Sequence, residues 1–168
     1  MIQARDTLAW FDRLPPVPPG RMRGEWRGET SPSGHPLDGM LEACGWWGKR
    51  FDDDEHVHPL VFRTASGARI SLRPTGARMA VALAMRAPWL RSPAAGRVVK
   101  AVLPLLATRR SQARLRRVEV RGVVSAAVCH DTVPIQDALR QVDADTVLGM
   151  MDMKGMAQPY FFLLRRLG

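Results

Sequence analysis

The stretch "HDTVPIQD", residues 130–137, holds the groups best suited to move a proton: His130 beside Asp131, with Asp137 a short turn later. An imidazole set against a carboxylate is the acid–base pair that hydrolases use. Neighbours in a strand point to opposite faces, so His130 and Asp131 can meet one substrate only where a strand has ended. The pair therefore stands as a catalytic alternative, and no residue is assigned as catalytic. In "DDDEHVH", residues 52–58, His56 and His58 lie close to four acids. The same pattern makes a solvated turn, and no glycine or glutamate completes a calcium loop. Neither a metal nor a cofactor is expected.

Charge is the third chemical feature. Between residues 86 and 121 ten lysines and arginines face a single acid, Glu119, so this segment carries +9, the whole net charge of the chain. It brackets the apolar stretch "VVKAVLPLLA", and an apolar face rimmed by cations suits the head group of an acidic lipid or the surface of an anionic membrane. Nucleic acid is the rival partner, but the segment offers only Trp89 for base stacking and no recognised binding motif.

These groups need elements to position them. "ARDTLAWFDRL" has Leu8, Phe11 and Leu14 at helical spacing, and "PPVPP" stops it, which predicts a helix that covers something. In "RGEWRGE" the period becomes two, with Gly24, Trp26 and Gly28 on one face and charges on the other. A short helix over 36–43, a strand through Trp46 and Trp47, an acidic turn, and strands with His58, Leu60 and Phe62 and with Ile70 and Leu72 on their inner faces follow. Residues 75–112 read as a basic helical insertion, ended or kinked near Pro104. The longest alternation, 114–130, places Val118, Val120, Gly122, Val124, Ala126 and Val128 on one face. "DTVPIQDAL" then reads as a helical turn, 140–155 as a hairpin around Asp143 to Asp145, and "PYFFLLRRL" as a last strand.

Eight or so mostly antiparallel strands predict a mainly β protein: a single antiparallel β-barrel with an N-terminal helix and the basic insertion in mid-chain. A chain of 168 residues, 46% hydrophobic, suffices for one domain over 1–168, with halves at 1–74 and 113–168 around the insertion. Cys44 and Cys129 have no partner spacing and read as free thiols. The N-terminal stretch carries Arg5 and Asp6 where a secretory signal needs an apolar run, and no stretch approaches the roughly 20 apolar residues that span a bilayer. The expected location is cytoplasmic, with peripheral contact at the inner membrane surface.

"GEWRG" at 24–28, "GHPLDG" at 34–39, "GWWGKRF" at 45–51, "VHPLVF" at 57–62 and "HDTVPIQDALRQVDADTVLGMMDMKG" at 130–155 come in that order. Together they resemble the bacterial family named for its GXWXG motif, whose second half is a domain of unknown function. The resemblance covers most of the chain and carries no established chemistry. It implies a tyrosine before Asp131, where this chain has His130. A Gly-x-Trp near the first strand is also similar to the calycin superfamily, the lipocalins and fatty-acid-binding proteins, where the tryptophan plugs one barrel end under a late-strand basic residue; Arg165 or Arg166 would take that part. The resulting expectation is non-enzymatic binding of a hydrophobic or amphiphilic ligand, such as a phospholipid or fatty-acid derivative. Trp26, His58, Phe62, Val120, Val124 and His130 would line the cavity, and Arg109, Arg110 and Lys154 would meet the head group.

Overall fold

In a computed structural model, which describes residues 4–75, 101 and 103–168, the alternating segments all become strands of one antiparallel sheet. They are β1 (Gly24–Thr30), β2 (Trp46–Phe51), β3 (Val57–Arg63), β4 (Arg69–Leu72), β5 (Ala107–Thr108), β6 (Ala113–Val120), β7 (Val123–His130), β8 (Ile135–Gln141), β9 (Thr146–Met153) and β10 (Tyr160–Arg166). The order β2-β1-β10-β9-β8-β7-β6-β3 is closed by a further β2–β3 pairing, so eight strands form a ring, and β4 and β5 extend from β3 outside it. The seam between β3 and β6 is a single pair, Val57 with Ala113, helped by the Gln112 amide donating to the Val57 carbonyl. Among the described residues no helix is long and apolar enough to cross a membrane.

Helix α1 (Ala4–Arg13) lies on the outer face of the sheet. Its Phe11 is fully buried in a cluster with Ala138, Leu148, Met150 and Phe161, the outward residues of β8, β9 and β10. The proline run then carries the chain across one end of the ring. The Val17 amide donates to Ser125 Oγ at 2.9 Å, and the Ala126 amide to the Val17 carbonyl at 2.9 Å. A 3-10 turn, Pro19–Arg21, leads through the buried Met22 into β1. The short α2 (Met40–Ala43) stands where a helix was expected, before β2.

Three sequence expectations are corrected. The 114–130 alternation is two strands, because Arg121 and Gly122 both take positive φ, 54° and 76°, and form a two-residue hairpin turn with Val120 paired to Val123. Paired residues share a face, so inward parity passes from odd positions to even ones across the turn. Leu115 lies in the interior core with Ala126 and Val128, whereas Val120 packs on the outer cluster under α1 and Val124, near the hairpin tip, is 45% exposed. Secondly, "PIQDAL" extends rather than coils and becomes β8. Thirdly, of the expected insertion, residues 76–100 and 102 lie outside the described residues; Leu103–Leu106 is one 3-10 turn, and β5 follows it.

The β2–β3 pairing also departs from simple alternation. Trp46 pairs with Phe62, Gly48 with Val61, and Arg50 with His58, so β2 and then β3 each carry one extra residue. Leu60 and Phe62 therefore belong with the interior, while His58 does not share their face. On β2 the extra residue is at Gly48, whose φ of +146° and close approach to the Trp26 carbonyl leave no room for a Cβ.

Candidate functional site

The ring has two different ends. At one, the Trp26 indole is 1% exposed and its Nε1 donates to the Met22 carbonyl at 2.7 Å. Arg166, paired with Trp26 across β1 and β10, lies over the indole at 4.4 Å and donates to the carbonyls of Arg23, at 2.9 Å, and Arg21. Arg166 is thus the late-strand basic residue over the tryptophan. Val17, Phe51, Leu115, Leu139 and Val147 fill the space around them, and this end is closed.

Glycine explains how the middle is built. A Cβ on Gly28 would collide with the Trp46 indole, and one on Gly149 with the Phe162 ring. Each absent side chain thus admits a large ring from a neighbouring strand. The two rings, from the strands on either side of β1, meet edge to face at 5.8 Å and 87°. This answers the spacing of "GEWRG": Trp26 closes the ring and Gly28 makes room for a second tryptophan.

Beyond those rings is a small cavity of about 60 Å³ at the open end, walled by Leu37, Leu41, Leu60, Ile135, Met151 and Met153. Three of its polar groups form one cluster. Ring order sets β2 opposite β8, and Lys49 spans the interior to bind Asp137, Nζ to Oδ2 at 2.7 Å, with both side chains at most 4% exposed. Lys49 Nζ also donates to the Pro59 carbonyl, at 3.2 Å, and lies 4.9 Å above the Phe162 ring. His130, at the end of β7 and 3% exposed, brings Nε2 to 3.5 Å from Asp137 Oδ2, too far for a good hydrogen bond.

Burial pushes the Asp137 carboxyl up, but the Lys49 charge and His130 outweigh it and hold it below the ordinary carboxylate range. Asp137 is therefore an anion at neutral pH. Among the described residues its Oδ1 and both ring nitrogens of His130 have no hydrogen-bond partner. Three unmet polar atoms in an apolar cavity are a cost that a protein seldom carries without use. In the neutral ring they amount to one donor and two acceptors, and the His130 tautomer decides which of its nitrogens donates.

The residues expected to form the site divide among four places. Trp26, Phe62 and His130 are inside the ring, Trp26 at the closed end and the other two at the cavity. Val120 and Val124 are outside the cavity, for the hairpin reason given above. His58 and Arg109 line an outer groove beside β4 and β5. Arg110 and Lys154 are exposed, Lys154 in the turn after β9. His130 and Asp131 do not act together, since Asp131 leaves the ring to bind Arg114 Nε at 2.8 Å. The basic run is also partly neutralised, with Arg114 on Asp131, Arg116 on Glu55 and Arg121 on Asp12. Lys49 was missed because the extra residue at Gly48 turns it inward. Asp137 was seen but set on a helix; its position two residues before the buried Leu139 on an extended segment was the available signal.

Residues 9–67 match the family model described as GXWXG protein, and residues 111–166 match a domain of unknown function, DUF4334. The first supplies Lys49 and the second His130 and Asp137, so the cavity cluster draws on both halves. No curated protein matches the chain. A crystal structure of a protein from Thermomonospora curvata is 34% identical, with a TM-score of 0.72 over 100% of this chain and 89% of that one. On its motif, on both matched halves and on this full-length relative, the chain belongs to the GXWXG family and carries that family's companion domain of unknown function.

Proposed function

We propose that the protein binds a small hydrophobic or amphiphilic ligand at the open end of the ring, without catalysis, in the manner of a calycin-like barrel. The observation that carries this reading is the set of unmet polar atoms, His130 Nδ1 and Nε2 and Asp137 Oδ1, in a cavity otherwise walled by apolar side chains. Such a site rewards a ligand with one polar end and an apolar body. An acidic head would take the one N–H of Lys49 that Asp137 and the Pro59 carbonyl leave over and a His130 N–H carried on Nδ1, and would lie clear of Asp137 Oδ1.

Size selects among amphiphiles. At about 60 Å³ the cavity takes a head group and a few carbons, far less than the roughly 300 Å³ or more of sites that enclose drug-sized ligands. A single-chain fatty-acid derivative whose tail leaves past Leu37 and Leu41 therefore suits it better than a two-chain phospholipid. Among the described residues, contact with an anionic membrane or nucleic acid through the basic run would rest on Arg109, Arg110 and Arg117, because Arg114, Arg116 and Arg121 already have carboxylate partners.

Octanoate tests the reading. Titration into the protein, followed by tryptophan emission because Trp46 lines the cavity, is expected to saturate. His130→Leu is expected to abolish the response, and 1-octanol to bind more weakly than octanoate. No saturable response up to millimolar octanoate sinks the proposal.

A further inference from the structure

A groove outside the ring is separate from the interior cavity. It encloses about 420 Å³ between β2 and β3 on one side and β4 and β5 on the other, with Arg50, His58, Arg69, Ser71, Thr108 and Arg109 among its walls. Two of its arginines are engaged at one edge: Arg50 Nε binds Asp52 at 2.9 Å, and Arg69 binds Glu25. Arg109 has no acidic partner among the described residues. Three guanidinium groups against two carboxylates leave the immediate set cationic.

His58 gives the groove its selectivity. Its side chain is 3% exposed, and its Nε2 stands 3.3 Å from Asp52 Oδ2. A nitrogen facing a carboxylate carries the proton, so in the neutral ring Nδ1 is the acceptor, and Nδ1 has no partner among the described residues. Burial and then the Arg50 charge press the imidazole toward the neutral form, against the pull of Asp52. The groove thus combines cationic donors and two hydroxyls with one buried acceptor. A fully ionised oxyanion satisfies the first and leaves Nδ1 unmet. An oxyanion that keeps a proton satisfies both.

We infer that this groove binds a phosphate group bearing a P–OH, either hydrogen phosphate or a phosphate monoester, its charged oxygens on Arg50, Arg69 and Arg109 and its hydroxyl donating to His58 Nδ1. Sulfate has the same shape and no proton near pH 7. A site built around a buried acceptor discriminates sharply between two such ions, because the wrong one leaves that acceptor buried and unpaired.

Titration calorimetry of the full chain with inorganic phosphate and with sulfate, at equal ionic strength and pH 7, tests this. Phosphate is expected to bind at least about tenfold more tightly than sulfate. Arg109→Gln, an exposed substitution that does not threaten the fold, is expected to weaken both ions and leave their ratio unchanged; His58→Phe is expected to collapse the ratio. Equal affinities overturn the inference, as does the absence of heat with either ion at millimolar concentration, or a ratio that survives His58→Phe in a folded variant. Vesicles distinguish the source of the phosphate. Preference for phosphatidic acid, a monoester, over phosphatidylglycerol, a diester without P–OH, competed away by free phosphate, assigns a lipid head group. Phosphate binding with indifference to the two vesicles assigns a soluble ion or ester. Octanoate binding in the cavity is expected to survive Arg109→Gln, which keeps the two sites separable.

Discussion

The two ends of the ring are built from the same kind of strand and resolve their polar groups in opposite ways. At the closed end the Trp26 N–H reaches the Met22 carbonyl, and Arg166 covers the indole while donating to backbone carbonyls. At the open end the Lys49–Asp137 pair satisfies half of Asp137, and His130 remains without a hydrogen bond. Complete satisfaction makes a structural plug. Partial satisfaction makes a site, whose stability cost is met by packing elsewhere.

The largest expected effect breaks the closed end. Trp26→Ala removes the indole from a fully packed position and leaves Arg166 without its ring, and is expected to cost about 3–5 kcal/mol in denaturant unfolding. A loss below about 1 kcal/mol would show that this end collapses around the gap and is not the plug described.

Next comes the buried pair. Lys49→Met leaves Asp137 ionised without its cation and is expected to cost about 3 kcal/mol at pH 7. The sign with pH separates this from lost packing. In the wild type the folded Asp137 value lies below the unfolded one, roughly 3.9, so its contribution is present above about pH 4 and is lost as pH falls through the folded value. In the variant burial raises the carboxyl instead, so acidification relieves the penalty. The stability gap between the two proteins is expected to narrow from pH 7 to pH 3; a constant gap would mean that Lys49 acts through its methylenes alone. Lys49→Met with Asp137→Leu is expected to recover most of the loss.

Gly28→Ala probes the boundary between the ends. The new methyl group meets the Trp46 indole, and overpacking of this kind costs about 1–3 kcal/mol. The displaced indole is expected to intrude on the cavity and weaken octanoate binding as well, a coupling that Trp26→Ala, at the far end, is not expected to show. Unchanged octanoate affinity in Gly28→Ala would separate Trp46 from the cavity.

How much of this was legible follows from where alternation holds. "GEWRG" alternates without interruption, and Trp26 is where its spacing puts it; the apolar strand "PYFFLLRRL" left Arg165 or Arg166 open, and the register brings Arg166 over the indole. Of the five motifs that carry the family resemblance only "GEWRG" lies in a regular stretch; "GWWGKRF" and "VHPLVF" lie in the irregular β2–β3 pair. Alternation misled wherever the backbone inserts a residue or reverses. The turn at Arg121 and Gly122 hid because arginine at positive φ is uncommon, although the glycine after it was a turn signal. The extra residues in β2 and β3 changed parity within a few positions, turning Lys49 in and His58 out. Asp137 was obscured because "DTVPIQDAL" reads as a helical turn where an extended strand begins at Ile135. The basic run overstated free charge because its carboxylate partners, Glu55, Asp131 and Asp12, lie across turns or on other elements.

The smallest expected effect on stability is the most informative about function. His130 stands in the interior with both ring nitrogens unpaired among the described residues, so replacing it by leucine removes a buried polar group and not a completed hydrogen bond. The change in unfolding free energy is expected to lie within about 1 kcal/mol of zero, with a gain as plausible physically as a loss, because an apolar group of similar volume relieves the desolvation of the ring. Asp137 keeps its short contact to Lys49, so the core pair survives. Octanoate binding, by contrast, is expected to disappear, since the polar end loses its main partner. Stability retained with binding lost would divide the two ends as structure and site. A loss of several kcal/mol would instead make the 3.5 Å approach of His130 to Asp137 a structural interaction, and the open end would then be a second plug, built from charges where the first is built from an indole.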